Sequence, residues 1–185
     1  MKRYLLSALL ICSVPALAQT VPPAGQEAGT IGALDAKNGF RKYKFGTPMK
    51  EIPGIQKKLG DAYVVPSEEL KIGDADLYAI LFNASHDKLS SVVFAATGEE
   101  NCRKVLAALQ AQYGPGEEVS PSQMAWNGKK VTMVFELKQQ YSAYSSRYST
   151  PQAHKSCTVY ISSNAAVIEE NAEKAAAAKK AASDL

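Results

Sequence analysis

The chain has 185 residues, a formal charge of +3, 46% apolar residues and three cysteines. That length suits one domain, or two small halves sharing a core. The weak net charge gives no electrostatic argument for a nucleic-acid partner, which would want a basic stripe, or for an anionic membrane surface.

Residues 1–18 read as a secretory signal peptide. Lys2 and Arg3 precede an apolar run from Tyr4 to Val14, and Pro15-Ala16-Leu17-Ala18 supplies an A-x-A-like cleavage site. The run is too short to span a bilayer, and no later stretch approaches the ~18 apolar residues that would. Ile11 before Cys12 is bulkier than the small residue that bacterial lipoproteins place there, so Cys12 reads as an ordinary signal residue. Cleavage after Ala18 leaves 167 residues starting at Gln19, and losing the two cations takes +3 to about +1. The expected location is the bacterial periplasm or medium.

Gln19 to Asn38 is rich in Pro, Gly, Ala and Thr and reads as a flexible linker. An α+β domain is expected over 39–163. Arg41–Phe45 alternates as a short strand, and Thr47-Pro48 reads as the cap and first position of a kinked helix ending at Leu59-Gly60. Strands are expected over Ala62–Val65, Leu70–Ile72, Leu77–Asn83 and Leu89–Thr97, with a turn or bulge at Gly73–Asp76. The clearest helix runs from Glu100 or Asn101 to Tyr113 and is stopped by Gly114-Pro115-Gly116. A hairpin follows with Asn127-Gly128 at its tip. Its second arm puts Val131, Met133, Phe135 and Leu137 on one face. A last strand over Cys157–Ser162 precedes an Ala-rich helix over 164–185, capped by Asn164, with only Val167 and Ile168 to bury.

The elements spell an α+β fold: an antiparallel sheet with helices on one face. A helix and three strands are followed by a second helix and three strands, as two tandem units or as one domain that alternates. Cys102 shares a helix face with Val105, Leu106, Leu109 and Tyr113, while Cys157 alternates with Val159 and Ile161. Both face inward, so in an oxidising compartment they read as a disulfide, the alternative being two separate buried thiols.

Gly39-Phe40-Arg41-Lys42-Tyr43-Lys44-Phe45-Gly46, followed by Thr47-Pro48 and a segment closing in Leu59-Gly60, resembles small exported bacterial domains of the BamE/SmpA type. The doubled form is similar to the β-lactamase-inhibitor-protein architecture. The resemblance implies an antiparallel α+β fold that binds other proteins, and it supplies no binding residue. The lipid-anchor cysteine of the BamE type is missing.

Catalytic signals are few. Consecutive Ser85-His86-Asp87 cannot reproduce a triad and reads as a turn. His154 falls in a polar loop, and Asp74 and Asp76 beside Gly73 lack the remaining ligands of a calcium loop. Glu68-Glu69 and Glu117-Glu118 read as solvated. No H-E-x-x-H, C-x-x-C, G-x-S-x-G or phosphate-cradling loop occurs, so no metal or cofactor is called for. The segment with binding texture is Gln139–Ser156, where Tyr141, Tyr144, Arg147 and Tyr148 stand among serines. Its alternatives are a continuation of the preceding strand and a mobile loop. Trp126, beside the hairpin tip, joins that surface or fills the core. The leading expectation is a non-catalytic module that binds an envelope or secreted protein as inhibitor, immunity or accessory factor. A cell-wall hydrolase and a small-ligand carrier are the alternatives.

Overall fold

In the computed structural model, which describes residues 29–141 and 153–183, eight strands form one antiparallel sheet. The first four are β3 (Gln56–Leu59), β4 (Ala62–Val64), β7 (Ala79–Ser85) and β8 (Lys88–Thr97). The other four are β9 (Glu117–Ser120), β10 (Gln123–Asn127), β11 (Val131–Tyr141) and β12 (Ala153–Ser163). Their spatial order is β3-β4-β7-β8-β12-β11-β10-β9. Each half is thus a meander running from an edge to the centre, and the two meet where β8 pairs β12 from Ser91↔Ser162 to Thr97↔Ser156. The α+β reading holds. Each unit contributes four strands to the sheet rather than three, because β3 and β9 add an edge strand to each half.

Strand alternation makes one core face. Val92, Phe94 and Ala96 of β8 align with Cys157, Val159 and Ile161 of β12 and with Val131, Met133 and Phe135 of β11, all buried. Helix α2 (Glu99–Tyr113) covers this face with Cys102, Val105, Leu109 and Tyr113, a stripe of i, i+3 and i+4 steps. Glu99 and Glu100 complement the positive helix start, and Gly114, with φ +87°, ends the helix. Cys102 and Cys157, both buried, form a disulfide with Cα atoms 5.7 Å apart, joining α2 to the central strand.

Several expectations change. The 19–38 linker is not wholly without structure: Ile31–Lys37 is a helix, α1, which buries Leu34 completely and ends at Asn38 in the left-handed region. Arg41–Phe45 is not one strand. Residues 39–44 form a tight hairpin of β1 (Gly39–Phe40) and β2 (Tyr43–Lys44), because Arg41 turns the chain at φ +53°. The kinked helix reduces to one 3-10 turn, Met49–Glu51, with no side-chain cap from Thr47 or Pro48. Pro53-Gly54 ends it, and the rest becomes β3, where Leu59 is 86% exposed. Beyond Ile72, β5 (Lys71–Ile72) pairs with β6 (Ala75–Asp76) as a separate two-stranded ribbon. β12 begins at Ala153, which places His154 on a strand opposite Gln140. The terminal helix, α3 (Asn164–Ser183), leaves Val167 and Ile168 exposed rather than buried. No helix among the described residues is long and apolar enough to cross a membrane.

Candidate functional site

The hairpin of residues 39–44 builds one wall of a cleft. Phe40 buries its ring against Phe94, with centroids 5.4 Å apart. Tyr43 packs edge-on against Phe82 at 4.9 Å. Arg41, left at the turn, reaches across to residues 68–71. Its guanidinium donates to Glu68 Oε1 at 2.6 Å, to the Glu69 carbonyl at 2.7 Å and to the Lys71 carbonyl. The Tyr43 hydroxyl donates to the other oxygen of Glu68. Burial alone would raise the Glu68 pKa. The hydrogen bonds from Tyr43 and Arg41, and the charges of Arg41 and Lys42, outweigh it and hold the carboxyl below its ordinary value. Glu68 is therefore a part-buried clamp, not a solvated carboxylate. It fixes the segment that leads into β5.

The ribbon is held to α2 through β6. Asn101 brackets Asp76, accepting from its backbone N–H at 2.9 Å and donating to its carbonyl. Between α1, β1, β5 and α2 lies a cavity of about 300 Å³. Phe40, Phe94, Leu109 and Ile161 supply its apolar floor, and Lys37, Arg41, Lys71, Glu69 and Tyr113 are its ionisable lining.

Three of these side chains, Tyr113, Lys37 and the exposed Glu69, make no hydrogen bond or ion pair among the described residues. Tyr113 is only 4% exposed, and its hydroxyl makes no hydrogen bond to any described residue. Burial pushes its pKa up to about 12, so it is a neutral donor at physiological pH. Lys37 forms no ion pair among the described residues, and its ammonium stands 5.9 Å from the centre of the Tyr113 ring. Burial first, then the charges of Lys44 and Arg41, lowers the Lys37 pKa. A cation held among cations, beside a hydroxyl with no acceptor among the described residues, suits an anionic acceptor. Arg41 is already committed to residues 68–71, and Lys71 lies 3.8 Å from Asp76.

The residues singled out by sequence lie elsewhere. Trp126 is fully buried and donates through Nε1–H to the Gly114 carbonyl at 2.9 Å. It fills the core and offers no binding surface. Tyr144, Arg147 and Tyr148 lie outside the described residues, and Tyr141 ends β11 opposite Ala153. The pairing of β11 with β12 continues past the last residues bonded to β10 and β8, so residues 138–141 and 153–155 form a two-stranded ribbon leading to residues 142–152. His86 is exposed in the turn after β7, with Nδ1 3.8 Å from Glu169 and Nε2 3.0 Å from Glu173 of α3.

Lys37 and Tyr113 were not legible as site residues. Lys37 lay in the apparent linker, though the Lys37-Asn38-Gly39 sequence is a helix-end signal. Tyr113 was legible only as part of the buried stripe of α2. In comparisons with known proteins, no family model, no curated protein and no solved structure matches this chain.

Proposed function

We propose that this chain is an exported, non-catalytic binding module of the bacterial envelope whose ligand enters the cleft between α1 and α2. One observation carries the reading: a phenol and an ammonium that make no hydrogen bond or ion pair among the described residues line the same apolar-floored cavity. Ligand sites combine such a floor with a few convergent polar groups. The signal-like residues 1–18 and the disulfide support export to an oxidising compartment.

Two measurements test this. Expressed in a Gram-negative host, the chain should be recovered from the periplasm with an intact mass that starts at Gln19 and includes the disulfide. The purified protein should show a saturable rise in thermal midpoint with at least one small amphiphile from a panel of anionic, neutral and cationic members. A cytosolic, unprocessed chain would refute export, and a flat midpoint across the panel would refute the cleft.

A second reading is favoured by the two-stranded ribbon of residues 138–141 and 153–155, which flanks the Tyr/Ser-rich segment in sequence. In it Tyr141, Tyr144, Arg147 and Tyr148 take hold of an envelope or secreted protein partner. Replacing Tyr144, Arg147 and Tyr148 together with alanine should abolish partner capture from periplasmic extract while leaving the thermal midpoint unchanged. Unchanged capture would exclude the segment.

A further inference from the structure

We infer that the α1–α2 cleft takes a small monocarboxylate with an apolar body, pairing its carboxylate with the Lys37 ammonium and the Tyr113 hydroxyl. The inference rests on the binding reading above and adds the chemical class of the ligand.

The donor count selects the anion. Of the three cations in the lining, Arg41 is occupied by Glu68 and by the carbonyls of Glu69 and Lys71. Lys71 belongs to the exposed ribbon beside Asp76. Lys37, set over the Tyr113 ring, is left as the cation with no ion pair among the described residues, and Tyr113 as the neutral donor with no acceptor among them. Two donors match the two oxygens of a carboxylate. A phosphate dianion calls for more: a guanidinium fork, or several backbone N–H groups at a helix start. The lining shows neither in available form, and Glu69 on the same cavity adds a repulsion that a dianion feels twice as strongly as a monoanion.

The electrostatics favour the same answer. Burial together with Lys44 and Arg41 disfavours the Lys37 charge, and no carboxylate among the described residues pairs with it, so a bound carboxylate supplies its counter-ion. A cationic amphiphile would add a fourth positive group. A neutral one would leave the ammonium uncompensated.

The floor sets the body. Phe40, Phe94, Leu109 and Ile161 are all buried and apolar, with Phe40 and Phe94 in contact. A volume of about 300 Å³ stands at the small end of ligand sites. It suits a medium-chain or aryl acid rather than a full-length lipid.

Titration calorimetry of the disulfide-bonded mature chain with octanoate, octanol, octylammonium and inorganic phosphate tests this. Octanoate should bind and the other three should be at least about tenfold weaker, the worth of one hydrogen-bonded charge. Lys37→Met should weaken octanoate at least about tenfold, Tyr113→Phe about three- to tenfold, and Lys37→Arg should retain most of the affinity. Circular dichroism of each variant establishes that it is folded, and Lys37→Arg keeps the test open if Lys37→Met does not fold. Octanol binding as tightly as octanoate, or octanoate binding unchanged in Lys37→Met, would overturn the carboxylate assignment and leave the cleft as a binding site. Binding of octylammonium or phosphate alone would overturn the ligand class. Silence from every member would remove both the ligand class and the cleft reading.

Discussion

A β-carbon at Gly39 would overlap the Tyr43 carbonyl oxygen and lie 2.9 Å from Lys44 Cα. The two arms of the 39–44 hairpin approach too closely there for any side chain. Gly39→Ala must open the hairpin, which loosens Phe40 from Phe94 and Arg41 from residues 68–71. We expect a loss of about 1–3 kcal/mol in urea denaturation, the usual cost of overpacking; a loss within about 0.5 kcal/mol would mean that the hairpin is pliable. Glu68 makes the same clamp sensitive to pH. Its carboxyl is held below the ordinary value of 4.5. The stability it contributes is therefore fully present above about pH 4.5 and lost as pH falls through the lower folded value. Glu68→Gln should be less stable than the parent at pH 7, and the gap should narrow progressively as pH falls below about 4.5. A gap that stays constant with pH would show that the charge contributes nothing. The Gly39–Gly46 motif stands out in the sequence, but its reason does not, because the partners of Arg41 and Tyr43 lie about 25 to 30 residues away.

At the scale of elements, α1 shows how a short helix can be held by its partners. Its seven residues are too few to be stable alone. Leu34 anchors it in the core, and Asp35 reaches the β10–β11 turn. There its carboxylate accepts from the backbone N–H groups of Lys129 and Lys130 at 2.7 Å and of Val131 at 3.1 Å. Gly128 leaves room for this, since a β-carbon there would overlap Asp35 Oδ1. Asp35→Ala frees three turn donors and one tether of α1. We expect a loss of about 1–3 kcal/mol, with hydrogen exchange accelerated at the amides of Lys129, Lys130 and Val131. Protection unchanged at those amides would sink the tether. The strong elements, α2 and the long strands, were legible because their periods run over many residues and because glycine follows α2 and β8. The others were lost for physical reasons. α1 carries too little apolar surface to show a stripe. The Met49–Leu59 segment has helical spacing of Ile52, Ile55 and Leu59, but Pro53-Gly54 cannot continue a helix, and an exposed edge strand shows no alternation.

At the scale of the molecule, the two edge-to-centre meanders meet along β8 and β12, and the core they share is closed by α2. The alternation of helix and strands was visible in sequence. The joining of the halves through the middle of one sheet was not, because β8 and β12 find each other across more than 50 residues. The cleft shares this difficulty: Lys37, Phe94 and Tyr113 come from three elements with no common motif. The one long-range link that local patterns did expose is Cys102–Cys157, a sequence separation of 55 residues. In the chain-entropy model a loop of that size removes about 4 kcal/mol of unfolded-state entropy. The bridge also ties α2, which carries Leu109 and Tyr113, to β12, which carries Ile161, so it supports the cleft from both sides. Reduction should lower the thermal midpoint by roughly 10 °C for a protein of this size. Cys102→Ala with Cys157→Ala should reproduce that fall without reductant. A midpoint unmoved after reduction, with both thiols shown to be free by alkylation, would mean that burial of the α2 stripe alone holds the helix on the sheet.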